Sequence, residues 1–370
     1  MKKILVLAIL SLFVLIACGQ ADTTSTKLTE DNPVKIGVSL PLSGEAASIG
    51  AGVVSGIKLA VKEVNAAGGI NGRPLQIIYE DDKCSRDGVT TVTKLVTADN
   101  VDALIGPLCS SAAGPGLPIA QQNGVPTIFY GSAPHLTSLG DYLFRIYPSD
   151  SFAGKFLAEY VINNMQKKKV AIVYVKNDWG QGIHDTFKAR FEELGGTIVF
   201  DESLAQEESD ARTVVTKLKA SGAEIIVAPM YPAVGLVFVK QVRELGIDLP
   251  IIGGDAFEAE EFFGKKETEG VMFIAGRFNS PEEFVQKLKQ EVPDGTINTL
   301  TPLGYDAVNL FVQVMKDVGT DKTAVRNALA RTKFAGVSSS VIEFDEIGDL
   351  KSANYDVKVA KDGHWVLAEE

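Results

Sequence analysis

The chain has 370 residues, of which 45% are hydrophobic, 22% charged and 8% aromatic. This composition is ordinary for a globular protein, and the length is enough for about two domains with buried cores. Acidic residues (47) outnumber basic ones (36), giving a net charge of −11. Nucleic acid is therefore not an expected partner, because binding to phosphates needs clustered Lys and Arg side chains.

The first 17 residues have the layout of a secretory signal peptide. A basic start (Lys2, Lys3) precedes an apolar run that is shorter than a membrane-spanning helix and ends in the sequence LIAC at Cys18. LIAC resembles the lipobox of bacterial lipoproteins, which implies cleavage before Cys18 and attachment of lipid to it. The alternative is a plain signal peptide cut near Ala17. We expect the polar residues 18–33 to form a flexible tether.

From Pro33 onward, short apolar runs alternate with helical patterns. Apolar residues at helical spacing predict helices over 50–65, around 89–96 and around 117–122. The predicted strands of this half are KIGVSL (Lys35–Leu40), LQIIYE (Leu75–Glu80), VDALI (Val101–Ile105) and VPTIFYG (Val125–Gly131). Continuous apolar strands separated by amphipathic helices indicate a parallel sheet that is covered on both faces.

The pattern restarts after the loop at residues 147–150. The second set of predicted strands is VAIVYV (Val170–Val175), TIVFDE (Thr197–Glu202), EIIVAP (Glu224–Pro229), PIIGGD (Pro250–Asp255) and GVMFIA (Gly270–Ala275). Helices are predicted between residues 281 and 331. Two later stretches, residues 339–350 and 354–368, alternate with a period of two and predict an antiparallel pair of strands.

These elements predict an α/β protein of two similar lobes, each a mostly parallel sheet flanked by helices, with a ligand cleft between the lobes. We expect one lobe to comprise residues 34–148 and 277–334, and the other residues 149–276 and 335–370. The hinges are expected near Pro148, Gly276 and Ala335.

Polar and aromatic side chains follow the predicted strands, where ligands bind in open α/β sheets. They are Ser110, Ser111, Gly131, Ser132, Asp178, Trp179, Met230, Tyr231, Asp255 and Phe257. Ser110 and Ser111 open a helix, whose N–H groups and positive dipole favour a carboxylate or phosphate. Asp255 suits an ammonium group, and the aromatic residues offer apolar walls. A small zwitterion with an apolar side chain would satisfy all three.

Simpler roles remain open for the same residues. Ser110 could be a helix cap, Asp255 a turn residue, and the aromatic side chains ordinary core.

Apart from Cys18, the chain contains Cys84 and Cys109. Two cysteines in an exported protein are most simply a disulfide. A nucleophilic Cys109 is the alternative, but it would need a histidine base, and His135, His184 and His364 lie in no recognisable signature.

Enzyme motifs are missing from the sequence. The stretch GAGVVSG, residues 50–56, superficially resembles a dinucleotide fingerprint, but a serine occupies its sixth position and a long loop separates it from the first strand. There is no GxSxG, no GxxxxGK and no His/Cys/acid set at metal spacing. We therefore expect a protein that is not an enzyme and that needs no cofactor or metal.

The sequence resembles the periplasmic leucine/isoleucine/valine-binding proteins, the substrate-binding subunits of branched-chain amino acid ABC importers. The resemblance covers the mature chain and is carried by IGVSLPLSGEAASIGAGVVSGIKLAVKEVNAAGGINGRPLQIIYEDDKC, IGPLCSS, KNDWGQG, MYPAVG and LTPLGYDAVNLF. It implies the type I periplasmic binding protein fold, closure of the lobes on an amino acid, and delivery to a membrane permease. It also implies a Cys84–Cys109 disulfide.

The resemblance further implies a set of ligand contacts. They are Ser110 on the ligand carboxylate, Gly131 and Ser132 in the next loop, Trp179 and Tyr231 facing the ligand, Asp255 on the α-ammonium group, and Ile49 from the first loop.

Two positions depart from the family pattern. The family often has glutamate at the position of Asp255, and the loop YGSAPHLT is one residue shorter than usual. The ligand could thus also be an amide or small organic acid, and the protein could present its ligand to a separate sensor. We expect a monomer, anchored by lipid in the periplasm or on the outer face of the cell membrane.

Overall fold

The structure, a computed structural model, describes residues 32–368 apart from Glu45 and Phe263. The predicted signal peptide, Cys18 and most of the predicted tether lie outside the described residues. Among the described helices, none combines the length and the apolar character that crossing a membrane requires.

The first lobe is built on a parallel sheet. Its strands are β1 (Val34–Leu40), β2 (Leu75–Asp81), β3 (Ala103–Ile105), β4 (Thr127–Phe129) and β5 (Leu143–Arg145). They lie in the order β2-β1-β3-β4-β5. The helices that connect them are α1 (Ala47–Ala66), α2 (Gly88–Thr93) and α3 (Ser110–Gln122), and a wider turn over Lys94–Ala98 continues α2. The strand β1 is buried along almost all its length, as expected for a sheet covered on both faces.

The second lobe repeats this arrangement with a larger sheet. Its strands are β6 (Lys169–Val175), β7 (Thr197–Leu204), β8 (Ile225–Ala228), β9 (Ile251–Gly253) and β10 (Met272–Gly276), and its helices are α4 (Asp150–Asn163), α5 (Asp178–Glu193), α6 (Arg212–Lys219) and α7 (Pro232–Glu244). A hairpin of β13 (Tyr355–Lys361) and β14 (His364–Leu367) adds to β10, in the order β14-β13-β10-β9-β8-β6-β7. The strands β6 to β10 pair in parallel, and β13 and β14 pair antiparallel.

Three more helices follow β10. They are α8 (Glu282–Glu291), α9 (Thr301–Val318) and α10 (Lys322–Leu329). The helix α9 packs closely on α1, and a side chain at Gly56 of α1 would come within 2.0 Å of the carbonyl oxygen of Thr301. A glycine is therefore required at this crossing, and it lets α1 and α9 share one core beneath the first sheet.

The chain passes between the lobes at Tyr147–Ser149, at 276–278 and again near Asn354. The third crossing lies later than the sequence predicts, because residues 335–350 pack on the first lobe and not on the second. Phe344 packs on Phe144 with their ring centroids 5.3 Å apart, and the carbonyl oxygen of Gly348 accepts a hydrogen bond from the backbone N–H of Arg145. We therefore move the boundary predicted at residue 335 to about residue 351.

The two alternating stretches near the end of the chain do not pair with each other, which corrects the sequence prediction. Ile342 and Glu343 form β12, which pairs antiparallel with β11 (Lys333–Phe334) on the first lobe. Residues 354–368 supply both β13 and β14 of the second sheet. The alternation predicts extended backbone correctly, but it carries no information about the partner strand.

Candidate ligand-binding cleft

The start of α3 faces the cleft between the lobes. The chain leaves β3, and Cys109, in an extended conformation, precedes Ser110 as the first residue of the helix. Cys109 is bonded to Cys84 as predicted, with their Cα atoms 5.2 Å apart. The hydroxyl of Ser111 donates a hydrogen bond to the carbonyl oxygen of Cys84 at 2.7 Å. The disulfide and Ser111 thus fix the helix start, whose first N–H groups have no partner within the helix.

The loop after β4 lies beside that helix start. Ser110 Oγ accepts a hydrogen bond from the backbone N–H of Ala133 at 3.1 Å, which ties the two segments together. Ser132 lines the cleft. Gly131 does not line it: its carbonyl oxygen accepts a hydrogen bond from Arg145 Nη1, and a side chain there would press on Ala113. Gly131 therefore lies behind the cleft wall.

Two aromatic side chains from the second lobe form one wall. Trp179 stands in the first turn of α5, and Tyr231 immediately precedes α7. Their rings stack with centroids 4.9 Å apart and planes 5° apart. Both side chains are largely buried, and both line the cleft. The stacked pair offers apolar surface to the cleft.

Asp255 opens the short turn that follows β9 and lines the same cleft as Ser110. The hydroxyl of Tyr147 donates a short hydrogen bond to Asp255 Oδ2. Burial raises the pKa of Asp255 above the usual range of an aspartate, and the hydrogen bond from Tyr147 opposes that rise. Tyr147 belongs to the first crossing, so this contact ties the acidic side of the cleft to the hinge.

The cleft gathers most of the predicted ligand residues. Its walls enclose about 750 Å³ of empty space, counted out to the solvent at its mouth. The predicted residues in these walls are Ile49, Ser110, Ser132, Trp179, Tyr231 and Asp255.

Other residues of the cleft wall are not among the predicted ligand contacts. They are Leu108, Cys109, Tyr130, Tyr147, Ala256, Glu258, Ala275, Gly276, Asn298, Thr299 and Leu300. Tyr147 follows β5. This strand has only three residues, one of them the buried Arg145, so the sequence pattern does not predict it. Asn298 to Leu300 precede α9 and follow no strand, so a search of strand ends misses them. The sequence signal for these three residues is the polar run before Thr301-Pro302, because proline at a first helical position marks the start of a helix.

Other acidic side chains lie close to Asp255. Within the described part of the chain, no ion pair includes Asp255, whereas Glu258 is paired with Lys358. Asp150 also lies nearby: it is buried, burial raises its pKa well above the usual range, and the charge of Asp255 adds to that rise. A buried carboxylate without a cation is costly, so the site favours a ligand that brings a positive group.

Residues 33–363 match the family described as periplasmic binding protein. The chain belongs to this family. The two-lobed type I fold predicted from the sequence is thereby confirmed, and the family implies a periplasmic location.

Curated relatives of this periplasmic binding protein are similar to it over most of the chain. Leu/Ile/Val-binding protein homolog 3 of Brucella melitensis biotype 1 is 30% identical over 351 residues, which cover 91% of this chain and 94% of the relative. The leucine-, isoleucine-, valine-, threonine- and alanine-binding protein of Pseudomonas aeruginosa is 27% identical and covers 88% of this chain and 89% of its own.

Solved structures give the same fold. The branched-chain amino acid transporter substrate-binding protein LivJ of Streptococcus pneumoniae, in complex with isoleucine, is 30% identical with a TM-score of 0.79, covering 91% of this chain and all of its own. A solute-binding protein of an R. palustris ABC transporter, in complex with benzoate, has the same TM-score at 22% identity, covering 91% of this chain and 95% of its own. At that identity, the likeness concerns the fold alone.

Proposed function

We propose that this periplasmic binding protein captures a branched-chain amino acid between its lobes and delivers it to the membrane permease of an ABC importer. The observation that carries the proposal is that unlike groups from the two lobes line one cleft. Asp255 comes from the second lobe, and the start of α3 with Ser110 and Ser132 comes from the first lobe. A carboxylate on one wall and free N–H groups on the other match the two ends of a zwitterion.

The remaining walls support an apolar ligand side chain. Trp179 and Tyr231 stack on one side, and Ile49, Leu108 and Leu300 contribute aliphatic surface on the other. An amino acid with a branched aliphatic side chain would bury that side chain against these walls, at about 0.8 kcal/mol for each buried CH₂ group. The names of the Brucella and Pseudomonas relatives point to the same class of ligand.

Binding by closure follows from where the contacts lie. Because the ligand's two charged ends are held by different lobes, a bound ligand stabilises the closed arrangement over the open one. The closed form is then the one that a permease recognises. No catalytic step is part of this function.

A thermal-shift panel tests the assignment. A ligand that binds only the folded protein raises the melting temperature, so leucine, isoleucine and valine should raise it and their D-enantiomers should not. The panel also includes glutamine, other amides, benzoate and 4-hydroxybenzoate. A response to an aromatic acid alone, with none to any amino acid, would reject the amino acid assignment in favour of a small organic acid.

The location and the assembly of the protein are proposed from the sequence. LIAC at residues 15–18 favours lipidation of Cys18, which would hold the protein at the membrane surface within reach of a permease. Membrane fractionation of the Cys18→Ser variant tests this: the variant should move to the soluble fraction. We propose that the protein is a monomer.

An alternative function is that the protein presents its ligand to a separate sensor. In that case the protein would still bind the ligand, but deleting its gene would not reduce uptake of the ligand by cells.

A further inference from the structure

A three-residue segment of the first lobe, residues 298–300, lines the cleft and contacts the second lobe. Asn298 anchors it on the first turns of α1, because Asn298 Nδ2 donates hydrogen bonds to the carbonyl oxygens of Ser48 and Ile49, both at 3.1 Å. Asn298 Oδ1 accepts one from the backbone N–H of Leu300 at 3.0 Å. The anchored segment leaves Thr299, between these two residues, pointing to the other lobe.

Glu258 of the second lobe meets that segment. Glu258 Oε2 accepts a hydrogen bond from Thr299 Oγ1 at 2.5 Å, and Oε1 pairs with the ammonium group of Lys358 on β13. The Glu258 and Lys358 side chains are only about a fifth exposed (22% and 23%). A hydrogen bond to a partly desolvated, charged carboxylate is stronger than one between neutral groups.

The two ends of this contact belong to different cores. Leu300 packs against the core of the first lobe, which includes Phe311. Phe257, next to Glu258, is buried in the core of the second lobe, which includes Phe273. Opening the cleft by moving one core against the other must therefore break the bond between Thr299 and Glu258.

We propose that Thr299 and Glu258 form a latch, which keeps the cleft closed over the ligand and sets the rate at which the ligand leaves. Lys358 is a positioning residue that holds the Glu258 carboxylate toward the first lobe. The proposal rests on the proposed function, since it concerns closure over the same cleft. The latch acts on the lobes and not on the ligand, so its effect is the same for every ligand that the cleft takes.

Dissociation rates measured by stopped-flow tryptophan fluorescence test the latch, with Trp179 in the cleft wall as the reporter. Thr299→Val removes the hydroxyl at nearly constant volume and should raise the dissociation rate by about tenfold for leucine, isoleucine and valine alike. The association rate should change by less than about twofold. Thr299→Ser, which keeps the hydroxyl, should restore the dissociation rate of the wild type.

Two further variants separate the latch from other effects. In a Glu258→Ala background, Thr299→Val should have no additional effect, because its partner is already gone. Thr216→Val removes a similar hydroxyl, which donates to the carbonyl oxygen of Arg212 on the exposed face of α6, and should change nothing. An unchanged rate in Thr299→Val, a full effect in the Glu258→Ala background, or a factor that differs among the three ligands would overturn the latch.

Small-angle X-ray scattering gives a readout that does not depend on the ligand assignment. Loss of the latch should raise the radius of gyration of Thr299→Val above that of the wild type, because open lobes are more extended. If the wild type bound none of the three amino acids, the proposed function would fail. The comparison of the two radii of gyration would then be the remaining test of the latch. Equal radii in that case would overturn it.

Discussion

At the scale of single residues, the acidic side of the cleft depends on one carboxylate. Asp255 is held by Tyr147, and none of the ion pairs in the described chain includes it. Lysines and arginines pair with acids elsewhere on the two lobes, so the lack of a cation at Asp255 is a local property of the cleft. In the function that we propose, an ammonium group of the ligand supplies the missing charge, so we expect Asp255 to be the residue on which affinity depends most.

Asp255→Asn should weaken binding of leucine by at least about tenfold, because the variant keeps the shape of the side chain and loses its charge. Ser110→Ala should weaken it less, since the helix start keeps its N–H groups. Isothermal titration calorimetry measures both. Asp294→Asn, at an exposed acid outside the cleft walls, is the matched control. An affinity in Asp255→Asn equal to that of the wild type would remove Asp255 from the ligand site.

A second buried carboxyl controls stability near the disulfide. Asp82 is fully buried, accepts hydrogen bonds from the backbone N–H of Cys84 at 2.9 Å and from Ser39 Oγ at 3.0 Å, and has its pKa raised by burial to about 6. The folded state therefore binds a proton at Asp82 more tightly than the unfolded chain does. Its contribution to stability is complete below about pH 4 and is lost as the pH rises through 6.

Asp82→Asn removes this titration and keeps the shape of the side chain. Relative to the wild type, the variant should gain about 2 kcal/mol of unfolding free energy between pH 4.5 and pH 8, because one pKa unit corresponds to about 1.4 kcal/mol and about 1.5 units separate pH 4.5 from the raised pKa. Urea unfolding at both pH values measures the difference. For Asp294→Asn, the difference in unfolding free energy from the wild type should be the same at both pH values. An equally constant difference for Asp82→Asn would refute a raised pKa of Asp82.

At the scale of elements, the start of α3 lies between the disulfide and the candidate ligand site. The Cys84–Cys109 bond closes a loop with a sequence separation of 25 residues, and Cys109 directly precedes Ser110 at the head of α3. Both cysteines are buried. The same bond therefore stabilises the fold and positions the residues that we propose bind the ligand carboxylate.

Replacing both cysteines with alanine should lower the free energy of unfolding by about 3 kcal/mol, the chain-entropy value for a loop of this size. Leucine affinity should fall as well, because the head of α3 loses its tether. In the native protein, mass spectrometry after alkylation should find Cys84 and Cys109 unlabelled until a reductant is added. Ready labelling of either thiol in the folded, unreduced protein would contradict the disulfide.

The periodicity of the sequence predicts most of these elements, and its failures have physical causes. The strand β5 is missed because three residues give no period and one of them, Arg145, is a buried charge paired with Asp349. Residues 335–350 are assigned to the wrong lobe because Arg145 and Phe144, which hold them, are about 200 positions away in the chain.

The residues of the cleft likewise divide into those that a local sequence pattern predicts and those that depend on contacts distant in the chain. Ser110, Trp179 and Asp255 follow predicted strands, and the rule that ligands bind at strand ends finds them. Asn298 and Thr299 reach the cleft only because α9 packs on α1, which no local pattern reveals. Gly131 also follows a predicted strand, but its carbonyl oxygen accepts a hydrogen bond from Arg145 and the residue does not line the cleft.

At the scale of the whole molecule, aromatic side chains gather where the chain crosses between the lobes. Tyr147 of the first crossing packs on Phe278 of the second, with ring centroids 5.6 Å apart. Tyr355, at the third, stacks on Phe156 at 5.4 Å. Tyr147 of the first crossing and Gly276 of the second also line the cleft, so these crossings lie beside the site.

The central claim is that the cleft recognises both ends of an amino acid, one from each lobe. Calorimetric titration of the purified protein with L-leucine, 4-methylpentanoate and L-leucinamide tests it most directly, because the two analogues keep the side chain and lack the ammonium and the carboxylate respectively. L-leucine should bind at one site per chain, and each analogue should bind about 100-fold more weakly or worse, since each leaves polar groups of the cleft unpaired. Equal affinity for L-leucine and either analogue, or no binding of L-leucine, would contradict the account.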